Sequence, residues 1–360
     1  MPVEGALVVE DDGFLRVLGI VLDPDTSRER TAAYADFFAH EADLTGYCQR
    51  VRAQVGELFP RKVRLVDTQD ELRAALPGSC ALVVESLSVG REELAAGSAL
   101  RVVHKFGLNP RNIDTAACAD RGIKVLTLRR RANIACAELA IALMLTLAKK
   151  LHRLAGRISV DDLSAIGYAY RPFDRRHTPN SNWARISGLR TLNGATLGII
   201  GLGEIGREIA IRAAAFGMRI LYYQRKRLPT TEEQELHATY LPLEMLLAQS
   251  DWVVPQLSGG SGTRAFIGRA QFAQMKPGAL LVNIARADVV DRSALIEALR
   301  SGRLGGFALD ALYEEPGRGD DELLGFDNVV LSPHIAAQPR FNALQDLAEL
   351  MEGLSRELAA

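Results

Sequence analysis

The 360-residue chain is predicted to be an α/β protein, with a doubly wound parallel sheet preceded by a smaller α/β domain. Short apolar runs alternate with helix-periodic segments along most of its length, the rhythm of parallel strands joined by crossover helices. One apolar run, Thr196-Leu-Gly-Ile-Ile200, passes through Gly201-Leu-Gly203-Glu204-Ile205-Gly206 into a helical segment ending near Phe216. With 48% hydrophobic and 24% charged residues, the chain has an ordinary globular composition and is long enough to build two cores.

In chain order, Phe14–Leu22 reads as a first strand, followed by mostly helical sequence over Arg28–Leu58. The β-rich runs Lys62–Val66, Ala81–Glu85, Leu100–His104 and Ile123–Leu126 are predicted strands. Between them, Gln69–Leu76, Arg91–Ala96 and Asn112–Asp120 carry helical spacing. Asn133–Leu151 is a helix apolar on nearly every face, which demands burial within the protein or in a subunit interface. Its apolar stretch Ile134–Ala148 is read as too short to span a membrane, and Glu138 interrupts it. Arg157–Arg190 is polar and aromatic without clear periodicity, and is expected to form an ordered cover over the active site or a partner subunit.

Beyond the glycine-rich turn the alternation resumes. Met218–Tyr223, Trp252–Leu257, Ala279–Asn283, Gly306–Asp310 and Val329–Leu331 read as strands. Leu241–Leu247, Arg269–Gln274 and Ser293–Ser301 read as helices, the last ended by Gly302.

A formal net charge of -1 gives no reason to expect nucleic acid or an anionic membrane as a partner. Cys48, Cys80, Cys118 and Cys136 lack paired spacing, so neither metal nor disulfides are expected, and reduced thiols suit a cytoplasmic protein. Met1–Gly13 carries four acidic residues and no basic flank, unlike a secretory signal.

The glycines have separate tasks. Gly201 permits the tight turn, Gly203 lets a pyrophosphate approach the amides opening a helix, and Gly206 brings helix and strand together. The turn, with Glu204 and Ile205, is therefore a candidate dinucleotide cradle. About 20 residues further on, an NAD-binding unit of this Rossmann type places an acid to hold the ribose hydroxyls. This chain has Gln224 there, followed by Arg225, Lys226 and Arg227. Absence of the acid and presence of cations favour a 2′-phosphate, so NADP(H) is expected to be preferred over NAD(H).

Ligands of open parallel sheets lie beyond the carboxyl ends of the strands. Those ends bring Gln256–Gly260, Asn283–Arg286, Asp310–Glu315 and Pro333–Ile335 into consideration. Arg286 can grip a carboxylate bidentately, His334 can exchange a proton near neutral pH, and Glu315 can orient an imidazole.

Three segments, Asn283-Ile-Ala-Arg286-Ala-Asp-Val-Val-Asp291, Ala308-Leu-Asp310-Ala-Leu-Tyr-Glu-Glu315-Pro316 and Leu331-Ser-Pro-His334-Ile-Ala336, resemble the signatures of the D-isomer-specific 2-hydroxyacid dehydrogenases. Val102–Asp114, Cys136-Ala-Glu138 and Lys276-Pro-Gly278 extend the resemblance from about Leu100 to Ala337. It implies a doubly wound Rossmann cofactor domain over residues 129–334 and a smaller flavodoxin-like α/β substrate domain from 1–128 with 335–360. Arg286 would bind the substrate carboxylate, His334 would serve as acid and base, and Glu315 would keep it protonated and oriented. Ile284, Ala285, Arg286 and Asp310 would line the cofactor, Asp310 on the nicotinamide carboxamide side. Backbone amides at Leu108 and Asn109 would contact the substrate. A homodimer through the 133–151 helix is implied, as is a small 2-oxo or 2-hydroxy acid substrate.

Departures from the family pattern are Gly107-Leu-Asn109-Pro-Arg111, Ser258-Gly-Gly260, Ala287 and Leu128-Arg129-Arg130-Arg131. Some of Arg129, Arg130 and Arg131 are expected to face the cleft and accept a second anionic group. The competing functional expectations are a dinucleotide-sensing regulatory protein on the same fold and a formate- or phosphite-type dehydrogenase. The intact Arg286, Glu315 and His334 argue against the first, and the small pocket required argues against the second.

Overall fold

A computed structural model describes residues 4–360, so the first three residues of the Met1–Gly13 stretch lie outside the described residues. The chain divides into two compact units, residues 1–135 with 337–360, and residues 136–336.

The first unit holds a five-stranded parallel sheet of β1 (Ala6–Glu10), β2 (Val63–Val66), β3 (Ser79–Val84), β4 (Val102–Lys105) and β5 (Lys124–Leu126), in the order β2-β1-β3-β4-β5. This is the flavodoxin-like order. Its two faces are apolar because successive side chains alternate: Leu7, Val9, Ala81 and Val83 enter one core, Val8, Leu82 and Val84 the other. The terminal helix Phe341–Ala359 seals the first core with Leu344, Leu347, Leu350, Met351, Leu354 and Leu358, all buried. At roughly 1.5–3 kcal/mol per side chain, its removal would expose on the order of 10 kcal/mol of burial, an upper bound.

The first strand differs from the sequence expectation. It is Ala6–Glu10, and Val17–Leu22 is a helix buried along its whole length. An apolar run hidden on every side has no periodicity to distinguish the two states. The local signal lies in Asp12, whose Oδ1 accepts the N–H groups of Phe14 and Leu15 and turns the chain into the helix.

The second unit holds a seven-stranded parallel sheet of β6 (Thr196–Ile200), β7 (Arg219–Tyr223), β8 (Ala238–Tyr240), β9 (Trp252–Pro255), β10 (Ala279–Asn283), β11 (Leu304–Leu309) and β12 (Val329–Leu331), in the order β12-β11-β10-β9-β6-β7-β8. The order reverses at β6, leaving the switch point between β6 and β9 at the carboxyl end. The three-residue β8 has no apolar run and escaped prediction.

The Arg131–Lys149 helix is long and apolar enough to cross a membrane by length and composition, unlike the shorter apolar stretch expected from sequence. However, 61% of its most apolar window is buried in the protein, which fits a core helix. Within 157–190, Val160–Ala165 is helical and most of the remainder is exposed and irregular.

Candidate active site

The glycine turn joins β6 to the helix Glu204–Ala215. Gly201 sits at φ 95°, and a Cβ there would lie 2.4 Å from the Gln256 carbonyl oxygen. Gly206 would place a Cβ 2.5 Å from the Gly201 oxygen, so helix and turn can close only on glycine. Gly203 is different: a Cβ there meets nothing within 4 Å, and the residue stands at the start of the helix. That open cradle against helix amides suits a pyrophosphate. Just past the end of the neighbouring β9, the Gln256 Nε2 is buried without a hydrogen-bond partner. Both features fit a dinucleotide.

Beyond β7, the Gln224 Oε1 accepts the Leu202 N–H at 3.3 Å, and its Nε2 donates to the Lys226 carbonyl at 2.6 Å. The side chain thus ties the strand end to the glycine turn. Arg225 and Lys226 are exposed. Arg227 instead reaches back to Glu233 with two hydrogen bonds of 2.8 Å. The Tyr222 hydroxyl also donates to Glu233, at 2.6 Å. Arg227 first, with Tyr222, holds the Glu233 carboxyl down to about 2. The expectation of three cations serving one phosphate is therefore narrowed to Arg225 and Lys226.

At the end of β10 the fully buried Asn283 shapes the following loop. Its Oδ1 accepts the Ala285 N–H at 2.9 Å and its Nδ2 donates to the Arg286 carbonyl at 2.8 Å. Ile284 is buried and Arg286 exposed. A Cβ on Gly259 would lie 3.1 Å from the Arg286 Cγ, so a side chain there would displace the guanidinium stem.

Three strand ends are then stitched together. The Asp310 N–H donates to the Asn283 carbonyl at 3.1 Å, and the His334 N–H donates to the Asp310 carbonyl at 3.0 Å. Asp310 is fully buried. Its carboxylate accepts from the Ser332 hydroxyl at 2.7 Å, the Ile335 N–H at 2.9 Å and the Ala336 N–H at 2.8 Å. These bonds hold His334 at φ 55°, a left-handed conformation costly to a residue with a Cβ. Asp310 is thus an anchor of the histidine loop, a role its place at a strand end did not disclose.

The His334 Nδ1 lies 3.0 Å from Glu315, whose Oε1 also accepts the Leu312 N–H at 2.9 Å. Since an ionised carboxylate only accepts, Nδ1 carries a hydrogen and Nε2 is left for exchange. The hydrogen bond to His334 is the chief reason the Glu315 carboxyl lies below its usual range, and the positive charge of Arg286 contributes in the same direction.

In the first unit, Leu108 is 52% exposed and Asn109 half-buried in the loop after β4. The arginines after β5 separate. Arg129 is exposed. Arg131 is taken by Asp346 at 2.9 Å and Glu349 at 2.8 Å, which corrects the expectation that it serves a ligand. Asp346 is fully buried and also caps the helix by accepting the N–H groups of Arg131 and Ala132. An aspartate 215 positions away gave no signal beside the arginines in sequence. Arg130 stacks on Phe106.

A parallel sheet with a glycine cradle at its switch point, beside a histidine–carboxylate pair and an arginine, defines a dinucleotide-dependent oxidoreductase. Residues 164–336 match the model of the D-isomer specific 2-hydroxyacid dehydrogenase NAD binding domain. The chain is 39% identical over 252 residues to a glyoxylate reductase of Thermococcus gammatolerans, covering 70% of this chain and 71% of that protein. It is 33% identical over 295 residues to a hydroxypyruvate reductase of Thermotoga maritima, covering 81% of this chain and 88% of that protein. Among solved structures, the PH0520 protein of Pyrococcus horikoshii superposes with a TM-score of 0.59 at 25% identity, over 97% of this chain and 91% of that one. A glyoxylate reductase from Paecilomyes thermophila, at 24% identity, shares the fold with a TM-score of 0.55 over 99% of this chain and 95% of its own. The chain belongs to the D-isomer-specific 2-hydroxyacid dehydrogenase family, whose oxidoreductases use a nicotinamide dinucleotide.

Proposed function

We propose that the chain is a 2-oxo acid reductase, working reversibly as a 2-hydroxy acid dehydrogenase, that prefers NADP(H) and accepts NAD(H). The observation that carries this reading is the His334–Glu315 pair at 3.0 Å, at strand ends of the same seven-stranded sheet as the glycine cradle and the Arg286 loop. When bound, the reduced nicotinamide would supply the hydride. Gly201, Gly203 and Gly206, with Glu204 and Ile205, would hold its pyrophosphate side. Arg225, Lys226 and Gln224 would meet the 2′-phosphate, and Ile284, Ala285 and the Asp310 loop would border the ring.

Arg286 grips the substrate carboxylate and polarises the 2-oxo group. His334 passes the Nε2 proton to the carbonyl oxygen as it becomes a hydroxyl, while Glu315 fixes the ring through Nδ1. In the oxidative direction His334 takes the hydroxyl proton back.

The named activities of the relatives make glyoxylate and hydroxypyruvate the first substrates to try. Purified protein given NADPH and either acid should oxidise the cofactor in proportion to the acid consumed; silence across a broad panel of 2-oxo acids would favour a dinucleotide-sensing regulator. The proposal extends to a cytoplasmic homodimer. Its support is the stripe Ile134, Glu138, Ala142, Leu145 and Lys149, exposed or half-buried along one face of the Arg131–Lys149 helix.

A further inference from the structure

Tyr222 is polar at a place in β7 where the strand needs only bulk. It is 0% exposed, yet its hydroxyl donates to Glu233 at 2.6 Å and accepts the Leu228 N–H at 3.0 Å. Glu233 is itself buried, although the other residues of its short helix Thr230–Glu235 are exposed or half-buried. Its carboxylate also accepts both Arg227 bonds of 2.8 Å. A phenylalanine would fill the strand position with no hydroxyl to satisfy, and an acid left outside the core would keep its water. The polar atoms of this pair are spent instead on Arg227 and Leu228, at the far end of the segment that follows β7. At its near end, Gln224 is tied to Leu202 and Lys226. The segment between has no regular secondary structure and carries three adjacent cations, which repel one another. It is therefore pinned at both ends, with Arg225 and Lys226 exposed between the pins.

We propose that Tyr222 and Glu233 are positioning residues for cofactor choice. By fixing the segment at Arg227 and Leu228 they set Arg225 and Lys226 where a 2′-phosphate arrives, so discrimination in favour of NADPH depends on two side chains behind the cations themselves. This rests on the NADP(H) reading, and deepens it by naming what sustains that preference. Long cationic side chains on a loose segment lose freedom when they close on a phosphate; on a fixed segment less is lost. Glu233 also offsets the charge of Arg227, which weakens the repulsion against placing Arg225 and Lys226 beside it. NADH has no 2′-phosphate and gains nothing from the arrangement.

The test measures Kd for NADPH and NADH by fluorescence titration in the wild type, Tyr222→Phe and Glu233→Gln, with adenosine 2′,5′-bisphosphate and AMP as probes of the phosphate alone. Tyr222→Phe leaves the Arg227–Glu233 pair intact. It should weaken NADPH and the bisphosphate by about three- to tenfold and NADH and AMP by less than about twofold, with Glu233→Gln acting in the same direction. In a chain already carrying Arg225→Ala and Lys226→Ala, Tyr222→Phe should add no further loss, because the brace acts through those cations. Equal weakening of both dinucleotides would make the pair part of the core alone and overturn the proposal, as would an undiminished loss in the doubly substituted chain. Tighter NADPH binding in Glu233→Gln would also overturn it, by showing that the acid withholds Arg227 from the phosphate. A wild type that binds NADPH no tighter than NADH removes the cofactor reading and the inference together. A wild type that favours NADPH, with variants that keep its ratio, removes the inference alone. Should Tyr222→Phe not fold, Glu233→Gln decides the same comparison.

Discussion

Replacing Gln224 with aspartate tests cofactor choice at the point where the chain departs from an NAD-binding pattern. In the structure Gln224 accepts from Leu202 and donates to Lys226, so its head is fixed at the end of β7. Aspartate, one methylene shorter, can still accept from a backbone amide but loses the Lys226 bond and adds a negative charge. Two unit charges at ~4 Å and an effective dielectric of ~20 interact by about 4 kcal/mol. Gln224 is only half-buried and its neighbours Arg225 and Lys226 are exposed, so solvent and salt leave about a third of that. NADPH should therefore lose about tenfold in kcat/KM, while NADH gains about threefold from a carboxylate that accepts the ribose hydroxyls, moving the ratio by about thirtyfold. Arg225→Ala should weaken NADPH in the same direction, since Arg227 is already committed to Glu233. Steady-state kinetics with both cofactors at fixed ionic strength measures the ratio. A ratio unchanged within about twofold in Gln224→Asp would refute the placement of the phosphate.

Asp310→Asn should cripple the histidine loop, because an amide cannot accept all three donors from Ser332, Ile335 and Ala336. A loss of about 3 kcal/mol and a Tm lower by about 6–12 °C are expected in calorimetry, with a reduced kcat; an unchanged Tm would remove the anchor. The depressed Glu233 carboxyl makes a pH-dependent contribution. Its folded pKa of about 2 lies below the unfolded value near 4.3, so the stabilisation is complete above the unfolded value and fades as pH falls towards about 2. Glu233→Gln should flatten the loss of stability across that acid window, as read by denaturant titrations, and an unaltered slope would deny the Arg227 pairing its weight.

The architecture was largely legible from the chain. Ala279–Asn283 and Val329–Leu331 are strands with the boundaries their apolar runs imply, and the glycine turn lies between strand and helix as its spacing demands. Val17–Leu22 misled because a helix buried on all sides and a buried strand carry the same apolar composition. The candidate site was legible where one residue type has few uses at a strand end: the expected partnership of His334 with Glu315 is present as a 3.0 Å contact. It was obscure where a charge is spent on a partner: Arg227 on Glu233, Arg131 on Asp346, and Asp310 on the loop bearing His334. Such pairings depend on how the chain returns to itself, which composition and periodicity do not encode.

The central claim is that His334 transfers the proton as a 2-oxo acid is reduced. Its most direct test is kcat for NADPH oxidation with the best 2-oxo acid in the wild type and His334→Ala, alongside NADPH affinity by equilibrium titration. In His334→Ala kcat should be lower by about 10²–10⁴-fold with affinity essentially retained; an unchanged kcat would contradict proton transfer by His334.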